Sequence, residues 1–212
     1  MNDIAEPLVH LVDNDPRVLK ATARLLASAG YRTRASRSTD EFLSCFDADV
    51  PGCVVLDLAM PGRTGLELQK SLHEAQVDVP IVFLSGCADV PMSVRAMKEG
   101  ALDFLVKPVD ANVLLSAVRN AVEQDERQRK AGEETRELRA RLETLTPRER
   151  ELLPHLVSGK LNKQIAGDLG VVEKTVKVHR AHVMQKLQVR RLADLVRIAE
   201  RLAIEPAQTR VS

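Results

Sequence analysis

The chain has no tryptophan and a single tyrosine in 212 residues, so no indole is available to report on any site. Cysteine is scarce as well. Cys45, Cys53 and Cys87 are odd in number, share no metal-ligand spacing, and two of them lie in or beside apolar runs. They read as buried, reduced thiols and point to the cytoplasm. No early apolar stretch resembles a signal peptide and no run is long enough to cross a bilayer, so a soluble protein without a membrane partner is expected. What is present is a globular composition, 44% hydrophobic, in a chain long enough for two small domains. The formal charge of +1 conceals a split: residues 1–122 hold 12 basic and 16 acidic side chains, net −4, while residues 146–212 hold 13 and 7, net +6. An acidic half followed by a basic half suggests a different partner for each.

The first half is organised around Cys53-Val54-Val55-Leu56-Asp57-Leu58-Ala59-Met60-Pro61-Gly62. Val54, Val55 and Leu56 in succession predict a strand buried on both faces, as in parallel sheets covered by helices. Asp57 then stands at its C-terminal end, the edge where open α/β sheets collect ligands and chemistry. Taken alone, an aspartate that merely caps the following Met-Pro-Gly turn is an equal alternative. The neighbouring segments weigh against it. Residues 8–12 predict a second buried strand that delivers Asp13, Asn14 and Asp15 at the same edge. Pro16 opens a helix behind an Asp15 cap, with Val18, Thr22, Leu25, Leu26 and Ala29 at helical spacing before Gly30. Residues 31–35 and 39–46 predict a short strand and a short helix. Leu68, Leu72 and Ala75 mark the next helix, and residues 81–84 a strand ending in Ser85-Gly86. Val90, Val94, Met97 and Ala101 mark another helix, residues 104–106 a strand leading into Lys107-Pro108, and Leu114, Ala117, Val118 and Ala121 a last helix.

Strands alternating with helices in this way predict an α/β domain with a doubly wound, five-stranded parallel sheet. A flavodoxin-like strand order would bring Asp13, Asn14, Asp57, Ser85 and Lys107 into one crevice. No Gly-rich fingerprint follows the first strand, which argues against a dinucleotide. Carboxylates, a hydroxyl and a lysine suit a divalent cation and a phosphoryl group. On these residues, 1–122 resembles the receiver domain of bacterial two-component response regulators. The resemblance implies that Asp57 is the phosphoacceptor, and that Asp13 and Asn14 hold Mg2+ together with Asp57 and the backbone carbonyl of Ala59. It further implies that Ser85 and Lys107 grip the phosphoryl group, that Phe104 is an aromatic switch, and that the peptide before Pro108 is cis. Asn14 departs from the pattern, standing where the family usually has an acid, and weak magnesium binding is the expected consequence.

Residues 123–143 carry thirteen charges, no proline and one glycine, Gly132. They predict a charged helical connector extending the last helix, with 123–141 as linker. Leu138, Leu142 and Leu145 form a narrow apolar stripe, either a solvated face or a seam for a second copy. Thr146-Pro147-Arg148-Glu149 is a capping box with proline at the first helical position, so a new domain begins about there. Its first helix carries Leu152, Leu153, Leu156 and Val157 and stops at Gly159. Asn162 is expected to cap a short second helix with Ile165, Ala166 and Leu169 inward, ended by Gly170. A third helix over 173–187 keeps Val176, Val183 and Leu187 on one face and crowds the remainder with Lys174, Lys177, His179, Arg180, His182 and Lys186. Leu192, Leu195, Val196, Ala199 and Leu202 mark a fourth.

Two helices joined by a short Gly-containing turn, the second of them basic, suit a helix-turn-helix that enters the major groove of double-stranded DNA. Residues 142–205 resemble the LuxR-type DNA-binding domain in Leu145-Thr146-Pro147-Arg148-Glu149, Asn162-Lys163-Gln164-Ile165-Ala166 and Thr175-Val176-Lys177-Val178-His179. By that resemblance Lys177, Val178 and Ala181 face bases, while Lys163, Thr175, Arg180 and Lys186 lie near phosphates; Lys174 is counted among the DNA-binding residues as well. Val178 as partial core and His179 as a capping or packing residue remain the plainer readings of those two.

Together the halves match the FixJ/NarL class of response regulators, which implies a transcription regulator rather than an enzyme. A sensor histidine kinase would phosphorylate Asp57, Ser85 and Phe104 would move inward, and the altered face would favour a homodimer on DNA. A phosphotransferase or phosphatase of similar topology would need a second acid two residues after Asp57, where Ala59 stands. A DNA-binding regulator whose first domain is ligand-gated or ignores phosphorylation is the other alternative, favoured only by Asn14.

Overall fold

The computed structural model describes residues 6–86 and 90–207. Cys87, expected to be a buried thiol, lies outside them. The chain divides into two compact units, Met1–Arg129 and Lys130–Ser212.

In the first unit the elements alternate as β1 (Leu8–Val12), α1 (Pro16–Ser28), β2 (Arg32–Ser36), α2 (Thr39–Cys45), β3 (Gly52–Leu56), α3 (Gly65–Glu74), β4 (Ile81–Ser85), α4 (Val90–Lys98), β5 (Asp103–Val106) and the start of α5 (Ala111–Glu143). The strands form one parallel sheet in the order β2-β1-β3-β4-β5, the flavodoxin-like order expected. Strand parity sorts the side chains between two layers. Val9, Leu11, Val55, Val82 and Leu84 pack against Leu19 and Leu26 of α1 and Leu114 and Val118 of α5. Val12, Val54, Leu56, Ile81 and Phe83 pack against Phe42 of α2, Leu68 and Leu72 of α3 and Ala96 of α4. Side chains such as Phe83 and Leu56, fully shielded from solvent, each contribute about 1.5–3 kcal/mol of burial free energy.

Local chemistry fixes the helix starts. Asp15 caps α1 by accepting the Arg17 amide at 2.8 Å, and Thr64 and Glu67 form a capping box at α3. Gly65 stands where α3 crosses the end of β3; a Cβ there would lie 2.5 Å from the carbonyl oxygen of Asp57 and 2.9 Å from the Phe83 ring. Helix α4 forms where expected but not with the expected face inward. Val90, Val94 and Met97 are 68%, 46% and 45% exposed, and its buried residue is Ala96. Ala96 shares its buried cluster with Leu68, Leu72 and Phe83, and its carbonyl accepts the buried Gln69 side-chain amide at 3.1 Å.

Helix α5 runs for 33 residues without a break, as the connector's composition predicts. Its charges are not all solvated. Asp125 is buried, accepts the Gly52 amide at 2.8 Å and pairs with Arg129 at 2.7 Å; the Arg129 guanidinium also donates to the carbonyls of Ala48, Asp49 and Val50. The first unit thus extends through Arg129.

The second unit holds the end of α5, α6 (Pro147–Val157), α7 (Asn162–Leu169), α8 (Glu173–Lys186) and α9 (Leu192–Arg201). Leu145, Leu152, Leu156, Ile165, Val176, Val183, Leu187 and Leu195 form its core, and Leu142 packs against it. Two leucines of the connector stripe, Leu142 and Leu145, therefore belong to this core and not to a solvated face or a seam. Asn162 does not cap α7. The N-cap is Leu161, which has no side-chain acceptor to offer; its own amide donates to the Gln164 side chain at 2.8 Å, the reciprocal half of a capping box. Gly170 ends α7 in the left-handed conformation, φ 65°. Among the described residues no helix is long and apolar enough to cross a membrane.

Candidate functional site

Register decides what meets at the sheet edge. Val12 of β1 pairs with Leu56 of β3, so the next residues, Asp13 and Asp57, emerge side by side, and the Asp57 amide donates to the Val12 carbonyl at 2.8 Å. Ser85 of β4 pairs with Val106 of β5, and the Lys107 amide donates to the Ser85 carbonyl at 2.8 Å. The peptide between Lys107 and Pro108 is cis, as anticipated. Lys107 reaches across the edge: its Nζ lies 2.5 Å from Asp13 Oδ2 and 3.1 Å from Asp57 Oδ1. Asp13, Asp57 and Ser85 are buried. Lys107 is partly shielded, while Asn14 and Ala59 are exposed at the rim.

The electrostatics follow from this packing. Burial pushes the Asp57 carboxyl above its usual range; the Lys107 ammonium opposes the shift and the Asp13 charge adds to it. Burial alone would pull Lys107 down, but its bonds to both carboxylates hold it above its ordinary value. Asp13 Oδ1 accepts the Asp15 amide at 2.8 Å, which fixes that carboxylate. Asp15 itself is occupied by its capping bond and by Arg17, 2.9 Å away. The donor atoms at this edge are hard oxygens with a net negative charge, and two of the carboxylates already share one cation, the ammonium of Lys107. That set fits magnesium, which takes oxygen ligands from one or two carboxylates. Asp13, Asp57, Asn14 and the Ala59 carbonyl are the groups that would hold it.

Phe104 sits in β5 opposite Phe83 in register, their ring centroids 6.2 Å apart, and is half-buried. Beside it are the exposed apolar side chains of Val94 and Met97 and, on β5, Val106 at 43% exposure.

In the second unit α8 turns Val176 and Val183 into the core and leaves Lys174, Lys177, Val178 and Ala181 exposed, Val178 at 47%. Thr175 is half-buried and Lys163 exposed. Lys177 pairs with Glu173 at 3.1 Å, and Arg180 donates to Asn162 Oδ1 at 3.4 Å. Lys186 is tied elsewhere: its Nζ donates to Glu149 Oε2 at 2.7 Å and to the Thr144 carbonyl at 3.1 Å. Glu149 is 2% exposed. Burial raises its pKa, but Lys186 and the Thr146 amide and hydroxyl outweigh burial and hold the carboxyl at about 2. Two buried carboxylates outside the Asp57 crevice, Asp125 and Glu149, were not singled out from sequence beyond charge and capping. Asp125 has Arg129 four positions on, a spacing that ordinarily marks a surface pair, and Glu149 reads as a simple cap of Thr146 while its cation, Lys186, stands 37 positions away, so only the fold reveals their burial.

Comparison with known proteins matches residues 9–119 to the response regulator receiver domain and residues 143–199 to the luxR family of bacterial regulatory proteins. Nodulation protein W of Bradyrhizobium diazoefficiens is 41% identical over 202 residues, spanning 95% of this chain and 89% of that protein. The transcriptional regulatory protein FixJ of Rhizobium meliloti is 40% identical over 192 residues, 90% of this chain and 94% of its own. Among solved structures, response regulator StyR superposes with a TM-score of 0.82 at 43% identity, covering 92% of this chain and 99% of that one.

Proposed function

Because the chain belongs to the response regulators that join a receiver domain to a LuxR-type DNA-binding domain, as in FixJ, we propose that its activity as a transcription regulator is set by phosphoryl transfer to Asp57. The observation that carries this reading is the single ammonium of Lys107 held between the carboxylates of Asp13 and Asp57. A carboxylate oxygen of Asp57 attacks the phosphorus of a phosphohistidine on a sensor kinase, the P–N bond breaks, and the imidazole leaves with a proton from solvent. Magnesium, when bound by Asp13, Asn14, Asp57 and the Ala59 carbonyl, neutralises charge on the phosphoryl oxygens. Lys107 moves its hydrogen bond from the Asp57 carboxylate to a phosphoryl oxygen, and the Ser85 hydroxyl, at the end of the adjacent strand, donates to another.

Phosphorylation therefore changes the hydrogen-bond demand at the end of β4 and β5. Phe104, half-buried beside Phe83, follows Ser85 inward and repacks the α4–β5 face. Val90, Val94, Met97 and Val106 on that face are large and exposed, an apolar patch suited to a second copy. The homodimer then presents two α8 helices to successive major grooves, with Lys177, Val178 and Ala181 toward bases and Lys163, Lys174, Thr175 and Arg180 at or near the DNA backbone. Lys186 contributes little there, since its charge is committed to Glu149. Incubating the full chain with acetyl phosphate and magnesium and reading the intact mass tests the assignment. A gain of one phosphoryl group is expected, absent in Asp57→Ala; a gain that persists in Asp57→Ala would overturn it.

A further inference from the structure

The second unit carries a cluster that is not among the residues assigned to DNA contact. One ligand atom each from Glu149, His179 and His182 lies within 4.8 Å of the other two. The three residues come from two elements: Glu149 from the first turn of α6, and the histidines three apart on α8, hence on one side of that helix. The two oxygens of Glu149 have different surroundings. Oε2 accepts the Thr146 amide at 2.8 Å and the Lys186 ammonium at 2.7 Å, whereas Oε1 faces His182 Nδ1 at 3.6 Å. The carboxylate is thus fixed by one oxygen and presents the other to His182. His179 adds an independent sign: its Nδ1 is enclosed and has no hydrogen-bond partner among the described residues, and an enclosed polar nitrogen without a partner is costly.

We propose that Glu149, His179 and His182 form a binding site for a borderline transition-metal dication, zinc first among them, that clamps α8 to the start of α6. Two imidazoles and one carboxylate are a zinc donor set with a fourth position left for water, and nitrogen donors of this kind disfavour magnesium. Metal-to-ligand lengths of about 2.0–2.2 Å put ligand atoms roughly 3.3 Å apart, so the cluster must contract slightly. The mobile member is His182, whose side chain is 53% exposed. Lys186 is the cost, a cation on the same carboxylate, but it stays on Oε2 while the metal takes Oε1. The proposal does not depend on phosphorylation of Asp57.

The test uses the five histidines of the full chain, His10, His73, His155, His179 and His182, as reporters. The chain is stripped with chelator, kept in excess magnesium to fill hard-oxygen sites, and titrated with zinc while the imidazole nitrogens are followed by NMR. One equivalent of zinc should shift the ring signals of His179 and His182 and leave those of His10, His73 and His155 in place. His182→Asn should weaken zinc binding by about tenfold or more, since even outer-shell partners are worth that much, while His73→Asn should not. Zinc that leaves His179 and His182 unshifted, or binds His182→Asn as tightly as the native chain, would overturn the proposal.

Discussion

Asn14 is the residue at which the crevice departs from the receiver pattern that the sequence otherwise resembles. The crevice sets Asp13 and Asp57 against Lys107, so an aspartate at position 14 would add a further negative charge. At an effective dielectric near 20, a unit charge about 4 Å away is worth roughly 4 kcal/mol before desolvation is deducted, so even a fraction of it matters. Asn14→Asp should bind magnesium more tightly and accept phosphoryl faster, with the fold unchanged. Calorimetric titration and a phosphorylation time course on both proteins check this, and equal affinities would defeat the charge argument. Asp15 offers no substitute, because its carboxylate is held by the Arg17 amide and guanidinium. At this scale the crevice was legible because Asp13, Asp57, Ser85 and Lys107 each follow an apolar run, and a strand end is visible in a sequence. The pairing of Lys107 with both carboxylates was not, since it depends on strand order. Cys53 is the buried free thiol expected; its pKa is pushed up to about 12 by burial and, beyond what was legible, by the charge of Asp125, 72 positions away.

At the scale of elements, α5 and α8 carry charges that matter to their units. Arg129 neutralises the buried Asp125 and closes the loop before β3 through three carbonyls. Removing only the cation leaves a buried carboxylate uncompensated, so Arg129→Met should destabilise the first unit by about 3 kcal/mol, read as a lower urea midpoint. An unchanged midpoint would mean that Gly52 alone satisfies Asp125. On α8, Lys177 is exposed and bound only to Glu173 among the described contacts. Lys177→Ala should weaken specific DNA binding by about 1–3 kcal/mol without unfolding the unit; unchanged affinity would place another face in the groove. Periodicity located every helix, because apolar spacing and caps such as Thr146 are local signals. It misjudged the orientation of α4 and the cap of α7. Which side of α4 turns inward is settled by its packing on α3 and β4 around Ala96, and the start of α7 is tied by a side chain, Gln164, that accepts the Leu161 amide from three residues downstream.

For the molecule as a whole, the charge split and the two compact units describe one division of labour. On the proposed reading the negative half would collect a cation and a phosphoryl group, and the positive half would meet a polyanion. What joins them is the claim that a modification of Asp57 changes the assembly of the chain through the apolar α4–β5 face. This claim was legible only as a resemblance, because assembly is a property of two copies and no single-chain pattern encodes it. Its most direct test is sedimentation velocity of the full chain with acetyl phosphate and magnesium, with intact mass read on the same samples. The account predicts that the native chain passes from monomer to dimer in proportion to its phosphorylation and that Asp57→Ala stays monomeric; a fully phosphorylated chain that remains monomeric, or an Asp57→Ala chain that dimerises on addition of the phosphodonor, would contradict it.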